Sequence, residues 1–313
     1  MDYIKLEAYV NLLLYRLNIK DGDSLFVSIP KCERTLKDYI EYVANTKGIT
    51  DIYFYINDLY QGYEKHKEYM SKNAKMLFFR SNKIDEIEKM ISDSYNLSLV
   101  TILPNKELKE KLGVNYHNTW NYIWDLMNIN EKTPEIYNNI NDSKYKKIAN
   151  SLKEYKELVI MNHYDTLLNL KNINTNSKSN EFPRNGVFLS GDFNGYVTAT
   201  KTSFMNNDTF DDLIIQIKNN KVVDFDCSSN INILKEIVHD LNVSTMHLTD
   251  DYNKFFNIYG TYNNKLLDKY SSPFIKLDYM SKELIMPIGS LSLDIVGYNK
   301  KLTKVYENNT FKK

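Results

Sequence analysis

The sequence predicts an α/β protein with two domains: an N-terminal α/β domain and a C-terminal mixed, mainly antiparallel α+β domain. A chain of 313 residues is longer than one hydrophobic core usually organises. Helix and strand patterns alternate in the first half, which is typical of parallel strands with helices on the faces of the sheet. Beyond Leu170 the composition changes and strand patterns dominate. We expect the domains to span residues 1–168 and 169–313.

The first half begins with an amphipathic helix over residues 2–17, where apolar side chains recur at helical spacing. Strands are predicted at 24–29, 51–56, 75–79 and 97–102, and helices between them at 35–45 and 84–92. This alternation indicates a Rossmann-like domain. Residues 116–161 look mostly helical. Trp120 and Trp124 lie one turn apart there and indicate a buried aromatic pair, with a ligand-stacking role as the alternative.

The second half begins with a polar stretch, residues 172–180, which is rich in Asn and Ser without periodicity and predicts a loop. Strands are predicted beyond it at 196–200, 212–217, 222–226, 274–279 and 290–295. One helix, at 231–241, interrupts them. The pattern favours a mixed, mainly antiparallel sheet.

Composition and charge exclude several classes of protein. The chain has 40 basic and 40 acidic residues, so its net charge of +0 argues against a nucleic-acid partner. Cys32 and Cys227 are too few and too distant for a disulfide framework or a thiolate zinc site. No apolar stretch is long enough to span a membrane, and the N-terminus does not resemble a signal peptide. We therefore expect a cytoplasmic protein without membrane contact.

Searches for familiar catalytic motifs fail. The chain has no phosphate-binding glycine loop, no GxSxG segment and no HExxH segment. One group of side chains has metal-ligand chemistry, but its spacing matches no established ligand pattern, and surface positions are the favoured interpretation. Its members are His239, Asp240, His247, Asp250 and Asp251.

Landmarks along most of the chain carry a family resemblance through their order. They are residues 17–25, Pro183-Arg-Asn-Gly-Val-Phe188, Asn194-Gly-Tyr-Val197, residues 218–225, Ser271-Ser-Pro-Phe-Ile-Lys-Leu-Asp-Tyr-Met280 and Leu293-Asp-Ile-Val-Gly297. Together they resemble the aminopeptidase T/aminopeptidase S family of dinuclear metallo-exopeptidases. The resemblance implies that family's two-domain fold.

The departures from the family pattern fall on its metal ligands. The Glu of the family's Gly-Glu-Val-Phe segment aligns with Gly186, and the next Glu ligand aligns with Thr245. The family's His-Ile-Ala-Leu-Gly segment has no counterpart, as if it were deleted. The closing His aligns with Lys276, and its Asp is kept as Asp278. Because a two-metal hydrolase needs carboxylates and imidazoles at these places, we expect a degenerate site with no catalytic residue and no tightly bound metal.

The leading hypothesis is a non-hydrolytic peptide-binding protein that presents a peptide to a partner enzyme. Lys276 and Asp278 are predicted to share a strand face and to contact the peptide, with an ordinary surface ion pair as the alternative. Arg184 and Lys201 lie in or beside the family motifs and are further candidates; simple solvent exposure is the alternative for both.

Two other interpretations remain open. An active aminopeptidase with zinc or manganese would need relocated ligands, drawn from Glu181, His239, His247, Asp250 and Asp278. A purely structural role is the third. Members of the family dimerise through the second domain, so the resemblance also implies a homodimer.

Overall fold

The chain forms two compact units in a computed structural model. The first unit holds the described residues up to Ile140 together with residues 179–182, and the second holds the remainder. The boundary expected from the sequence, 168/169, lies further along the chain than this division. The structure describes residues 2–29, 34–56, 59–80, 85–104, 106–129, 133–177, 179–182, 186–205, 208–250, 269, 272–280, 282–289 and 292–312.

The first unit is a parallel five-stranded sheet with helices in the connections. Its strands lie in the order β2-β1-β3-β4-β7, and every neighbouring pair is parallel. This result confirms the α/β class for the first half of the chain. The strands are β1 (Leu25–Ser28), β2 (Ile52–Tyr55), β3 (Lys75–Arg80), β4 (Ser98–Ile102) and β7 (Glu181–Phe182). The helices are α1 (Tyr3–Arg16), α2 (Arg34–Thr46), α3 (Leu59–Ser71), α4 (Asp85–Asp93), α5 (Lys106–Leu112) and α6 (Tyr116–Leu126), with a 3₁₀ turn at Tyr95–Leu97.

The helices begin and pack as their sequences dictate. Asp2 caps α1 because its carboxylate accepts hydrogen bonds from the N–H groups of Ile4 and Lys5. Trp120 and Trp124 are buried, with ring centroids 5.8 Å apart, so they form the expected aromatic pair of the core. None of the described helices is long and apolar enough to cross a membrane.

The second unit is built on an antiparallel sheet of thirteen strands among the described residues. Their order is β10-β9-β15-β14-β13-β12-β11-β8-β6-β5-β16-β17-β18. The strands are β5 (Glu157–Asn162), β6 (Leu167–Asn176), β8 (Val187–Thr198), β9 (Ser203–Met205), β10 (Asp208–Phe210), β11 (Ile214–Lys218), β12 (Lys221–Asp226), β13 (Asn242–Leu248), β14 (Phe274–Tyr279), β15 (Lys282–Pro287), β16 (Leu293–Asn299), β17 (Lys301–Glu307) and β18 (Thr310–Phe311). The helices are α7 (Pro134–Leu152), which begins in the first unit, and α8 (Ile231–Ile237), with a 3₁₀ turn at Val238–Asp240.

Two predictions in the middle of the chain are wrong. Residues 157–161, the end of the stretch expected to be mostly helical, lie in β5, whose Leu158 and Ile160 are in the core of the second unit. The predicted loop at 172–180 is largely the end of β6, which continues to Asn176. Main-chain hydrogen bonds to β8 hold this polar segment in an extended conformation. The strand therefore forms without the alternation of apolar side chains that would predict it from the sequence.

β8 pairs with β6 on one side and with both β11 and β13 on the other. Because β11, β12 and β13 are also paired in sequence, these strands and β8 close into a ring. Along β8, β13 and β14, alternate side chains enter the hydrophobic core, among them Val187, Met246 and Ile275. The opposite face of these strands and of β15 carries the residues that the sequence analysis singled out, among them Thr245, Lys276 and Asp278.

Candidate functional site

We call this opposite face of β8, β13, β14 and β15 the site face. Strand pairing places His247 of β13 beside Phe188 of β8 and Phe274 of β14. The same register places Thr245 opposite Lys276, and Asp278 opposite Glu283. The members of the site face that bear on the candidate site are Gly186, Phe188, Thr245, His247, Phe274, Lys276, Asp278 and Glu283.

One half of the site face is a cluster of charges. The Lys276 Nζ lies 3.1 Å from Asp278 Oδ1 and 3.2 Å from Glu283 Oε1. The Lys269 Nζ lies 3.4 Å from the other carboxylate oxygen of Glu283. The two carboxylates are the more exposed members, because 43% of the Asp278 side chain is accessible compared with 21% of that of Lys276. We call these four residues the charged cluster; their formal charges cancel.

The carboxylates keep Lys276 protonated. Burial, the largest single influence, acts to lower the pKa of Lys276. The charges of Glu283 and Asp278 act in the opposite direction and leave the pKa above its ordinary value. A protonated ammonium has no lone pair, so Lys276 cannot replace the imidazole of a metal ligand.

The other half of the site face is packed with rings around Gly186. The His247 side chain is fully buried. Its ring centroid lies 4.9 Å from that of Phe188 and 5.0 Å from that of Phe274. A β-carbon at position 186 would lie 2.4 Å from His247 Nε2 and 2.3 Å from the carbonyl oxygen of Leu248. No side chain therefore fits at position 186.

These residues do not fit a two-metal centre. Gly186 offers no oxygen and has no room for a carboxylate, Thr245 offers only a hydroxyl, and Lys276 carries a positive charge. Asp278 is engaged with that charge. Within the described ranges, no three His, Cys, Asp or Glu side chains are grouped so that they can hold a metal ion.

Some of the proposed relocated ligands are committed to other contacts. Asp250 accepts two hydrogen bonds from the Lys144 ammonium, at 2.7 and 2.8 Å, and another from the Tyr145 hydroxyl. Glu181 lies in β7 of the parallel sheet, paired in register with Val100.

The other members of the sequence-derived metal group are also dispersed. His239 and Asp240 are exposed in the 3₁₀ turn before β13. His247 is enclosed by the rings described above, and Asp251 lies outside the described residues. The described side chains thus give the relocated-ligand hypothesis no assembled site.

The two remaining candidates for peptide contact have different outcomes. Arg184 lies outside the residues that the structure describes. Lys201 is half-buried between Thr200, whose N–H donates to the carbonyl oxygen of Pro287, and Thr202, whose hydroxyl donates to Asp211. A role for either residue in binding stays a prediction.

Two members of the charged cluster, Glu283 and Lys269, were not predicted from the sequence. The alternation in Phe274–Tyr279 continues into Lys282–Pro287 after a short turn at Met280, which has a φ of 52°. Reading this segment as a hairpin places Glu283 opposite Asp278 and reveals the second carboxylate. No comparable sequence signal indicates Lys269, because it lies outside this hairpin.

Comparison with known proteins identifies the fold. No family model and no curated protein sequence matches the chain. Among solved structures, AmpT from Thermus thermophilus is similar with a TM-score of 0.76 and 12% sequence identity, over 98% of both chains. The 2,5-dihydroxypyridine dioxygenase of Pseudomonas putida KT2440 is similar with a TM-score of 0.58 and 9% identity, over 98% of this chain and 96% of that one. At such identities the likeness establishes the fold alone, and that fold is aminopeptidase-like.

Proposed function

We propose that this chain is a non-hydrolytic peptide-binding protein built on an aminopeptidase-like fold, and that it presents the bound peptide to a partner enzyme. The observation that carries the proposal is the charged cluster. At the position aligned with a metal-binding imidazole, Lys276 is instead held by Asp278 and Glu283. The residues at the aligned positions do not provide ligands for a pair of metal ions, so they do not support hydrolysis by metal-bound water.

The charged cluster suits the end of a peptide. It offers an ammonium and carboxylates within one partly shielded group, and a peptide terminus carries a charge of one sign. The paired strands β14 and β15 position Lys276, Asp278 and Glu283, so little conformational entropy is lost when a ligand binds. Arg184 and Lys201 remain candidate contacts for the rest of the peptide, and a homodimer remains part of the proposal.

Calorimetry with one peptide in four forms tests the binding. The forms combine a free or acetylated N-terminus with a free or amidated C-terminus. The charged cluster is expected to contact only one end of the peptide. Blocking that end should weaken binding about tenfold or more, because a charge-assisted contact is lost, whereas blocking the other end should have little effect. Lys276→Met is expected to weaken binding of the unblocked peptide similarly, whereas Lys304→Met, outside the site face, leaves it unchanged. No measurable affinity for any form, or equal affinity of all forms and variants, contradicts the proposal.

The non-hydrolytic part has its own test. The same peptides are incubated with the protein and Zn²⁺ or Mn²⁺, and the products are analysed by mass spectrometry. We expect intact peptides. Release of amino acids that stops on chelation identifies an active metallo-aminopeptidase instead.

A further inference from the structure

His247 occupies its place on the site face through contacts with two strands. The antiparallel register pairs it with Phe188 on one side and with Phe274 on the other. Its ring is nearly parallel to that of Phe274, with an interplanar angle of 24°, and is tilted by 48° from that of Phe188. Because the side chain is fully buried, the imidazole is a packing element between two phenyl rings.

Gly186 and the His247 ring are complementary in shape. The imidazole Nε2 approaches the space where a β-carbon of residue 186 would stand, and it leaves only a glycine-sized gap. The Leu248 carbonyl oxygen closes the same space from the main chain. Both neighbours belong to β13, so a side chain at position 186 requires β13 itself to move.

We infer that His247 is an internal plug, which fills with the protein's own imidazole the volume that a metal ligand at position 186 would need. The plug closes the half of the site face around Gly186, while the charged cluster stays partly open to solvent. Restoring ligands by Gly186→Glu and Lys276→His therefore does not restore metal binding. The slot between the phenyl rings suits a planar, five-membered aromatic ring. This inference rests on packing and does not depend on what the charged cluster binds.

Chemical rescue of His247→Ala by free imidazole tests the plug. The variant removes the ring and leaves a cavity between Phe188 and Phe274, so we expect its Tm to fall by roughly 5–15 °C. Imidazole added at pH 8, where it is largely neutral, should refill the cavity. It should raise the Tm of the variant saturably by about 3–6 °C.

The wild-type protein and Thr245→Ala serve as controls, because Thr245 lies on the same strand and face but outside the ring stack. Imidazole is expected to change their Tm by less than about 1 °C, since neither protein has an empty slot. An equal rise in all three proteins, or no saturable rise in His247→Ala, overturns the inference.

A variant that does not fold by itself still gives a decisive result. His247→Ala is then refolded from denaturant with and without imidazole, and folded protein is measured by near-ultraviolet circular dichroism. Recovery only with imidazole supports the plug. Failure in both conditions overturns it, because free imidazole should restore the ring contacts with Phe188 and Phe274 that the variant lacks.

Discussion

Lys276 differs from the surface lysines of this chain because its ion pairs are shielded from water. Its side chain is 21% exposed, compared with 59% for Lys304 in its pair with Glu307. Exposed ion pairs contribute little to stability because solvent and salt screen them, whereas partly buried pairs are screened less. Removing Lys276 also leaves Asp278 and Glu283 facing each other across the hairpin.

We therefore expect Lys276→Met to destabilise the protein by about 1–2 kcal/mol. The matched variant Lys304→Met should change the free energy of unfolding by less than about 0.5 kcal/mol. Urea denaturation monitored by circular dichroism measures both. Equal effects of the two variants would show that burial does not distinguish the charged cluster from a surface pair.

We expect His66 to make the stability of the first unit depend on pH. The ring is fully buried against Phe26 and Phe78, with centroid distances of 5.6 and 6.3 Å. Burial lowers the pKa of His66, and the charge of Asp93 only partly offsets this effect. Protonation is thus less favourable in the folded state than in the unfolded state.

The sign of the dependence follows from proton linkage. Well above pH 6.5, which is about the pKa of a histidine in an unfolded chain, His66 is neutral in both states and its contribution to stability is constant. As the pH falls below that value, the unfolded chain takes up a proton that the folded chain does not, so stability should decrease. Denaturation at pH 7.5, 6.5 and 5.5 measures this slope.

His66→Phe should flatten the slope, whereas His163→Gln, which removes an exposed histidine, should leave it as in the wild type. A slope unchanged by His66→Phe would assign the acid sensitivity to other groups.

At the scale of elements, the sequence predicts what side-chain periodicity determines. β1 and β4 are buried throughout, and their apolar runs reveal them. The polar end of β6 and the transition from α7 to β5 are set by pairing with distant strands, which no local pattern records. Of the site, the shared strand face of Lys276 and Asp278 follows from the sequence. The ring stack does not, because it depends on register across three strands.

The close approach of β6 and β8 requires glycine at position 195. Gly195 has a φ of 136°, and a β-carbon there would lie 2.1 Å from the carbonyl oxygen of Leu167. We expect Gly195→Ala to destabilise the protein by about 1–3 kcal/mol through backbone strain, with further loss from the clash.

Gly22→Ala is the matched control, because Gly22 also has a positive φ, of 80°, but no atom lies within 4 Å of the place where a β-carbon would stand. Its expected effect is about 1 kcal/mol. Thermal melts of both variants give the comparison; a smaller loss for Gly195→Ala than for Gly22→Ala would contradict the close approach.

At the scale of the whole molecule, an aminopeptidase-like fold does not by itself determine which reaction is catalysed or which ligand is bound. Two of the structures with a similar fold are AmpT and a dioxygenase, at 12% and 9% identity, so the likeness identifies a fold and not a reaction. Function therefore depends on the residues of the site face. Here the described residues of that face form ion pairs and a ring stack.

Metal ions should consequently not stabilise the folded chain. We expect Zn²⁺ or Mn²⁺ at about 1 mM to leave the Tm within about 1 °C of its value in chelator, since a ligand raises Tm only by binding the folded state. Differential scanning fluorimetry measures this shift. A saturable rise of several degrees, with two ions retained per chain, would contradict the misfit of the site.

The ring of strands through β8 has a consequence for synthesis of the chain. Residues 187–189 of β8 pair with β13, which follows much later in the sequence. Until the ribosome has released Leu248, this side of β8 lacks the partner that it has in the finished protein. A nascent or truncated chain therefore exposes an apolar strand edge, which favours chaperone capture or aggregation. The surface that carries Gly186 and His247 correspondingly cannot form before β13 has been synthesised.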